Sequence, residues 1–143
     1  MLLILKTLTV NHSFMYLNTK ILENIMLTFI CYPKCTTCQK AKKWLDENGI
    51  SYALRDIKEE NPSLEELTEW YKRSGLPLKK FFNTSGLLYK SMELKDKLHG
   101  MVEDEMLTLL ATDGMLVKRP ILIGDELVLV GFKEAEWKEK LNK

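Results

Sequence analysis

The chain has 143 residues, 45% of them hydrophobic and 29% charged, with a formal net charge of +1. This length and composition fit one globular domain with a buried core. The small net charge predicts no attraction to DNA or to an anionic membrane surface. No apolar run reaches the roughly 18 residues that a membrane-spanning helix needs. Three cysteines without a secretory signal peptide favour a reducing cytoplasm, where a Cys-x-x-Cys pair is more often catalytic or sensory than structural.

Residues 1–25 do not continue the pattern of the rest of the chain. Their apolar stretch at 2–5 is too short for a signal-peptide core, and no small-residue cleavage site follows it. We therefore expect an N-terminal extension that arises from a misassigned start codon, with the domain running over 26–143. The alternative is that these residues form an additional strand or helix packed on that domain.

The domain is predicted to begin with a strand, a helix and a second strand. Residues 27–32 are mostly apolar and predict a buried strand, which Pro33 ends. Apolar side chains then recur at helical spacing from Thr36 until Gly49, which supplies the stop. The alternating residues of Ser51–Arg55 predict the second strand, so the three elements form a βαβ unit with a right-handed crossover.

The middle of the chain is predicted to be a helical insertion at about 62–114. Ser63 and Glu66 have the spacing of a capping box, and they open a helix that Gly75 ends. A turn is predicted at Asn83–Gly86. Shorter helices are predicted on either side of this turn, at 77–82, 93–99 and 103–111.

The chain is predicted to return to strands before it ends in a helix. The apolar stretches 121–123 and 127–130 flank Gly124–Glu126, a connection of hairpin length. Trp137 and Leu141 lie one helical turn apart and mark the last helix. The sequence thus predicts an α/β protein in which a βαβ unit and a ββα unit share one mixed sheet.

Cys35 and Cys38 form a Cys-x-x-Cys pair where the first strand turns into the first helix. A thiol at a helix start faces unpaired backbone N–H groups and the positive end of the helix dipole, and both favour the reactive thiolate. Half of a zinc site and a pair of buried unreactive thiols are the alternatives. Zinc would need further ligands, and the chain offers only Cys31, His12 and His99, without a second Cys-x-x-Cys or a His-x-x-x-His. We therefore predict no metal site.

Three motifs in this order resemble a known family. They are Tyr-x-x-Cys-x-x-Cys at the strand-to-helix turn, Phe81–Gly86 in the middle of the chain, and Lys118–Pro120 near its end. Together they are similar to the arsenate reductase (ArsC) family, and nearest to its branch of Spx-type redox regulators. The resemblance extends over 26–141, nearly all of the chain. It implies a thioredoxin/glutaredoxin-like fold, with βαβ and ββα units around a mixed sheet and an inserted helical subdomain.

Each of the cysteines has an expected role. Cys35 is the expected nucleophile because it is the more N-terminal thiol of the pair, and Cys38 is expected to resolve a mixed disulfide by attacking Cys35. Cys31 is expected to be a buried, inert thiol on the first strand.

The resemblance implies that Arg119 lies beside the reactive cysteine and that the Arg119–Pro120 peptide bond is cis. A surface arginine at a loop end is the alternative. The remaining residues expected to bind at the site are Lys34, Thr36, Thr37, Asn83 and Pro120.

The resemblance implies two functions. In the first, the protein is a thiol–disulfide oxidoreductase that acts on a protein disulfide or a low-molecular-weight disulfide, with no cofactor except glutathione or another thiol as electron donor. In the second, it is a redox-sensing regulator that binds the C-terminal domain of the RNA polymerase α subunit without contacting DNA directly. Arsenate reduction is not expected, because the classical branch supplies three arginines and only Arg119 matches one of them. Asn83 stands at the mid-chain position, and Gly131 or Phe132 at the last.

Overall fold

The computed structural model describes residues 27–143. The expectations for residues 1–25, and for a domain start at residue 26, lie outside the described residues. No helix within 27–143 is long and apolar enough to cross a membrane. The strands are β1 (Thr28–Cys31), β2 (Ala53–Asp56), β3 (Ile121–Ile123) and β4 (Val128–Val130). The helices are α1 (Thr36–Glu47), α2 (Leu64–Ser74), α3 (Leu87–Ser91), α4 (Leu94–Lys97), α5 (Glu103–Leu110) and α6 (Glu134–Lys140).

The four strands form one mixed sheet in the order β2-β1-β3-β4. β1 runs parallel to β2, with Phe29 opposite Leu54, and antiparallel to β3, with Phe29 opposite Leu122. β2 begins at Ala53, two residues later than predicted, and continues to Asp56. β3 and β4 pair as the predicted antiparallel hairpin. Since α1 connects the parallel pair and α6 follows the hairpin, the predicted thioredoxin-like arrangement of βαβ and ββα units is confirmed.

The sheet separates two hydrophobic clusters, because successive side chains of β1 point to opposite faces. Phe29 packs with α1 and α6 and contacts Trp137 edge to face, with 6.3 Å between the ring centroids. Ile30 belongs to the other cluster, which the helical insertion covers. All three side chains are fully buried. β1 is therefore the centre of the core, and the cysteine loop leaves from its end.

The helical insertion is attached to the sheet through α2. The predicted capping box is confirmed: the Ser63 hydroxyl accepts a hydrogen bond from the Glu66 N–H, and the Glu66 carboxylate accepts one from the Ser63 N–H. The same carboxylate accepts two bonds from Arg55 of β2, at 2.6 and 3.0 Å, and these hold the pKa of Glu66 below its usual range. The Arg55 guanidinium also lies over Trp70, 5.8 Å from the ring centroid. α2 ends at the predicted Gly75, which has a φ of 68°.

The shorter helices of the insertion differ from those predicted. Leu78–Phe81 is a single 3-10 turn rather than a helix, because the backbone is already extended at Phe82. α3 was not predicted. Glu93 adopts a φ of 55°, a left-handed conformation that separates α3 from α4. As a result, the helix predicted at 93–99 begins one residue later and finishes as a 3-10 turn at Leu98–Gly100.

A close backbone contact fixes the segment that leads from the insertion to Arg119. Gly114 packs so tightly after α5 that an added Cβ would collide with the Ile57 carbonyl oxygen. The same segment pairs with the predicted mid-chain turn, where the Asn83 N–H donates a hydrogen bond to the Leu116 carbonyl at 2.8 Å. These contacts define the path of the chain into β3, and therefore the position of Arg119.

Candidate functional site

The Cys-x-x-Cys loop is the turn between β1 and α1. The Cys35 N–H donates a hydrogen bond to the Tyr32 carbonyl at 3.0 Å, and the Cys35 carbonyl accepts one from the Gln39 N–H at 3.1 Å. Cys35 is the N-cap residue of α1, with extended backbone angles. Its side chain is half-buried, whereas Cys38, one turn inside the helix, is 2% exposed. The first thiol is therefore accessible from solvent and the second is not.

The polar groups around the Cys35 sulfur favour its thiolate. Partial burial acts against the charge, but the nearby Cys38 backbone N–H and Cys38 thiol stabilise it. The Arg119 guanidinium lowers the pKa further through its donor groups and its positive charge. Together these groups hold the pKa of Cys35 below its ordinary value. A larger fraction of this thiol is consequently ionised near neutral pH.

Cys38 has the opposite environment. Its side chain packs among the residues that α1 and β1 contribute to the core. Burial, together with the neighbouring Cys35 and Cys31 thiols, raises the pKa of Cys38 to about 12, although the Tyr32 N–H donates to its sulfur at 3.4 Å. The pair thus combines an accessible, readily ionised thiol with a buried, protonated one.

Cys31 lies at the end of β1 and is also a free thiol. It is 5% exposed. Burial, followed by the negative charge of Asp56, raises its pKa. A buried thiol that stays protonated is a poor nucleophile, so the environment of Cys31 fits the inert role expected of it.

Arg119 is placed against the Cys35 sulfur by the segment that precedes β3. The Arg119–Pro120 peptide bond is cis, as predicted. The guanidinium lies over the Tyr32 ring, 5.1 Å from its centroid, and Nη1 donates to the Met115 carbonyl at 3.4 Å. Nε is buried without a hydrogen-bond partner among the described residues. The structure thus brings together Arg119 and Cys35, which lie far apart in the sequence.

Asn83 is connected to the site through a backbone carbonyl. Its side-chain Nδ2 donates to the Met115 carbonyl at 3.5 Å, and this oxygen also accepts the bond from Arg119 Nη1. The turn around Asn83 is tight, since a Cβ added at Gly86 would lie 2.6 Å from Nδ2. The described contacts of Asn83 therefore support the position of Arg119.

The other residues expected at the site lie around the paired cysteines. Lys34 is exposed in the loop, and Thr36 and Thr37 are exposed in the first turn of α1. Pro120 is buried directly after Arg119. The three exposed side chains are available to a molecule that approaches the loop from solvent.

The sequence patterns did not single out Tyr32 as a site residue. In the structure its carbonyl contacts Cys35, its N–H contacts Cys38 and its ring contacts Arg119. The signal was present, because Tyr32 opens the Tyr-x-x-Cys-x-x-Cys motif. An aromatic residue at the end of a buried strand, however, is usually part of the core.

Within the described residues, no group of three or more His, Cys, Asp or Glu side chains is arranged to hold a metal ion. His99 lies in the insertion, with Nδ1 at 3.4 Å from Lys79 Nζ, and His12 lies outside the described residues. The functional groups that the structure brings together are therefore one thiol with a lowered pKa, one thiol with a raised pKa and one guanidinium.

Comparisons with known proteins agree on one family. The sequence pattern of the ArsC family matches residues 31–140. The chain is 58% identical over 113 residues to the uncharacterized protein YusI of Bacillus subtilis. This alignment covers 79% of the chain and 96% of YusI. The chain is also 31% identical over 110 residues to the regulatory protein MgsR of the same species. That alignment covers 77% of the chain and 86% of MgsR.

A solved structure has the same fold. The crystal structure of an ArsC family related protein from Bacteroides fragilis superposes with a TM-score of 0.79 at 54% sequence identity. The match covers 81% of this chain and 98% of that protein. Sequence and structure thus agree with the resemblance that the three motifs indicate.

Proposed function

Because the chain belongs to the ArsC family, we propose that it is a thiol–disulfide redox protein in which Cys35 is the nucleophile and Cys38 the resolving cysteine. The opposite ionisation of these thiols is the observation that carries the proposal. The pKa of Cys35 lies below its ordinary value, whereas that of Cys38 is raised to about 12. Thiolates, and not thiols, attack disulfides. We place this chemistry in the cytoplasm, where cellular thiols can return an oxidised pair to the dithiol.

The reaction transfers two electrons in two exchanges. The Cys35 thiolate attacks one sulfur of the substrate disulfide, a new S–S bond forms, and the other substrate sulfur leaves as a thiolate that takes a proton from water. Cys38 then gives up its proton and attacks the Cys35 sulfur, which releases the remaining substrate sulfur as a thiol. The substrate is reduced and the protein holds a Cys35–Cys38 disulfide. Two molecules of glutathione, or of another thiol, reduce this disulfide, leave as their own disulfide and complete the cycle.

Arg119 supports the first exchange in this proposal. Its donor groups and its charge lower the free energy of the Cys35 thiolate relative to the thiol. The exposed side chains of Lys34, Thr36 and Thr37 border the nucleophile. They are the groups that a protein disulfide or a low-molecular-weight disulfide would meet first.

Trapping of the mixed disulfide tests this function. With glutathione disulfide as the probe, the Cys38→Ser variant is expected to accumulate glutathione on Cys35, because the resolving thiol is absent. The wild type is expected to form the internal disulfide instead, and Cys31→Ser is the matched control that behaves as the wild type. Intact mass and peptide mapping distinguish these products. The Cys35→Ser variant tests which cysteine attacks first. If glutathione attaches to Cys38 of this variant as fast as it reacts with the wild type, Cys35 is not the nucleophile.

A second proposal uses the same dithiol as a sensor. The similarity to MgsR, a regulatory protein, supports a redox-sensing regulator that binds the C-terminal domain of the RNA polymerase α subunit. A net charge of +1 suits contact with a protein better than direct contact with DNA. A pull-down of the purified domain with oxidised and with reduced protein tests this alternative. Retention that depends on the oxidation state and disappears in Cys35→Ser supports it, and no retention in either state contradicts it.

A further inference from the structure

Tyr32 contacts Cys35, Cys38 and Arg119, the three residues that form the site. Its carbonyl accepts a hydrogen bond from the Cys35 N–H at 3.0 Å, and its own N–H donates to the Cys38 sulfur at 3.4 Å. Its ring lies under the Arg119 guanidinium, whose central carbon is 5.1 Å from the ring centroid. The first two contacts use the backbone and the third uses the side chain. Substitution of Tyr32 can therefore remove the third contact and retain the others.

We propose that Tyr32 is a positioning residue, whose aromatic ring holds the Arg119 guanidinium against the Cys35 sulfur. The inference rests on the proposed thiol–disulfide function and deepens it. Arg119 acts on the Cys35 sulfur, and Tyr32 acts through Arg119.

Arg119 needs such support because its described polar contacts hold it weakly. The bond from Nη1 to the Met115 carbonyl is 3.4 Å long, near the limit of a hydrogen bond. Nε is buried and has no partner among the described residues. A long side chain held in this way keeps several rotamers of similar energy. An aromatic face within about 6 Å attracts a guanidinium and limits this freedom.

The Tyr32 ring is itself held in place from two sides. The backbone of Tyr32 is tied to the cysteine loop by its contacts with Cys35 and Cys38. Its half-buried side chain packs against the cluster that the helical insertion covers. Because the ring is fixed to the loop in this way, it keeps the Arg119 guanidinium close to the Cys35 sulfur.

The pH dependence of Cys35 alkylation by iodoacetamide, followed by peptide mass, tests the inference on the full chain. Tyr32→Leu is expected to raise the apparent pKa of Cys35 by about 0.5 to 1 unit, the effect of losing one cation–π contact. Tyr32→Phe retains the ring and is expected to keep the wild-type value. In the Arg119→Met background, Tyr32→Leu is expected to add no further rise. Cys38 and Cys31, the two thiols near Cys35, both have raised pKa values.

Two results would overturn the inference: an unchanged Cys35 pKa in Tyr32→Leu, or an equal rise with and without Arg119. If the role of Tyr32 is purely structural, Tyr32→Leu lowers the thermal midpoint, and any change in the Cys35 pKa is the same with Arg119 present as in the Arg119→Met background. If Tyr32→Leu does not fold, Tyr32→Met takes its place with the same expected rise. A wild-type Cys35 pKa in the ordinary thiol range overturns the proposed function instead, so the two failures are distinguishable.

Discussion

Burial disfavours the Cys35 thiolate, but the adjacent Cys38 backbone N–H and thiol favour it, while the Cys38 sulfur itself is buried one helical turn away with its pKa raised to about 12. The residue that favours the Cys35 thiolate is thus also the one proposed to resolve its mixed disulfide. This arrangement follows from the position of the pair, since an N-cap residue faces the free N–H groups of the first helical turn.

Oxidation is expected to link Cys35 to Cys38 and to leave Cys31 reduced. A two-residue spacer at a helix start can meet disulfide geometry, whereas Cys31 is buried and its raised pKa disfavours the thiolate that exchange requires. Peptide mapping of the oxidised protein measures the pairing. A bridge between Cys31 and Cys35 as the main product is inconsistent with this expectation.

The rate of exchange with glutathione disulfide is expected to follow the ionisation of Cys35. Because the folded pKa lies below the ordinary value of about 8.5, reactivity persists as the pH falls below that value and is lost only below the folded pKa. Arg119→Met removes the N–H donors and the positive charge beside Cys35, so we expect a higher pH midpoint and a rate at slightly acidic pH that is roughly tenfold lower. Lys118→Met is the matched control. Identical pH profiles for both variants would show that Arg119 does not act on the thiolate.

Gly114→Ala is expected to destabilise the fold by about 2–3 kcal/mol. The added Cβ would collide with the Ile57 carbonyl oxygen, which belongs to backbone and cannot swing aside. Gly100→Ala is the matched control, since a Cβ there meets nothing within 4 Å. Urea unfolding measures both variants. Equal stability of the two would mean that the close approach at Gly114 is not required.

Local patterns in the sequence predicted the features that depend on neighbouring residues. The Ser63 capping box, the Gly75 stop and the Gly124–Glu126 hairpin each arise from a few adjacent positions. The break at Glu93 was missed because glutamate usually favours helices. Its residue type therefore gives no sign of the left-handed backbone conformation that it adopts here. The contact between Arg55 and Glu66 was missed because pairing across two elements depends on how they pack.

The candidate site was predictable only in part, for the same reason. The position of Cys35 and Cys38 at a helix start follows from periodicity. The expectation that Arg119 lies beside them came from the family resemblance, because nothing local connects these segments. The contact of Arg119 with Tyr32 and the carbonyl of Met115 required the folded chain.

The protein is expected to be a poor arsenate reductase. Arsenate is a multiply charged oxyanion, and its binding needs several convergent cations. Only Arg119 matches the three arginines of the classical branch: Asn83 contacts the Met115 carbonyl, and Phe132 packs edge to face on Trp137. Each missing charge-assisted contact costs roughly 1.5–3 kcal/mol. The loss of two contacts weakens arsenate binding by roughly several hundred-fold or more.

An assay with arsenate, glutathione and glutaredoxin measures this activity. We expect turnover far below that of a true arsenate reductase run in parallel. Comparable turnover would mean that other residues supply the missing positive charge.

Equilibration with glutathione buffers of graded redox potential tests most directly whether Cys35 and Cys38 form a functional dithiol. The predicted result is a single two-electron transition to the Cys35–Cys38 disulfide, retained in Cys31→Ser and absent from Cys38→Ser. A potential more reducing than the cytosol favours the oxidoreductase, and one near the cytosolic value favours the sensor. Free thiols at both positions in the most oxidising buffer would contradict the proposed function.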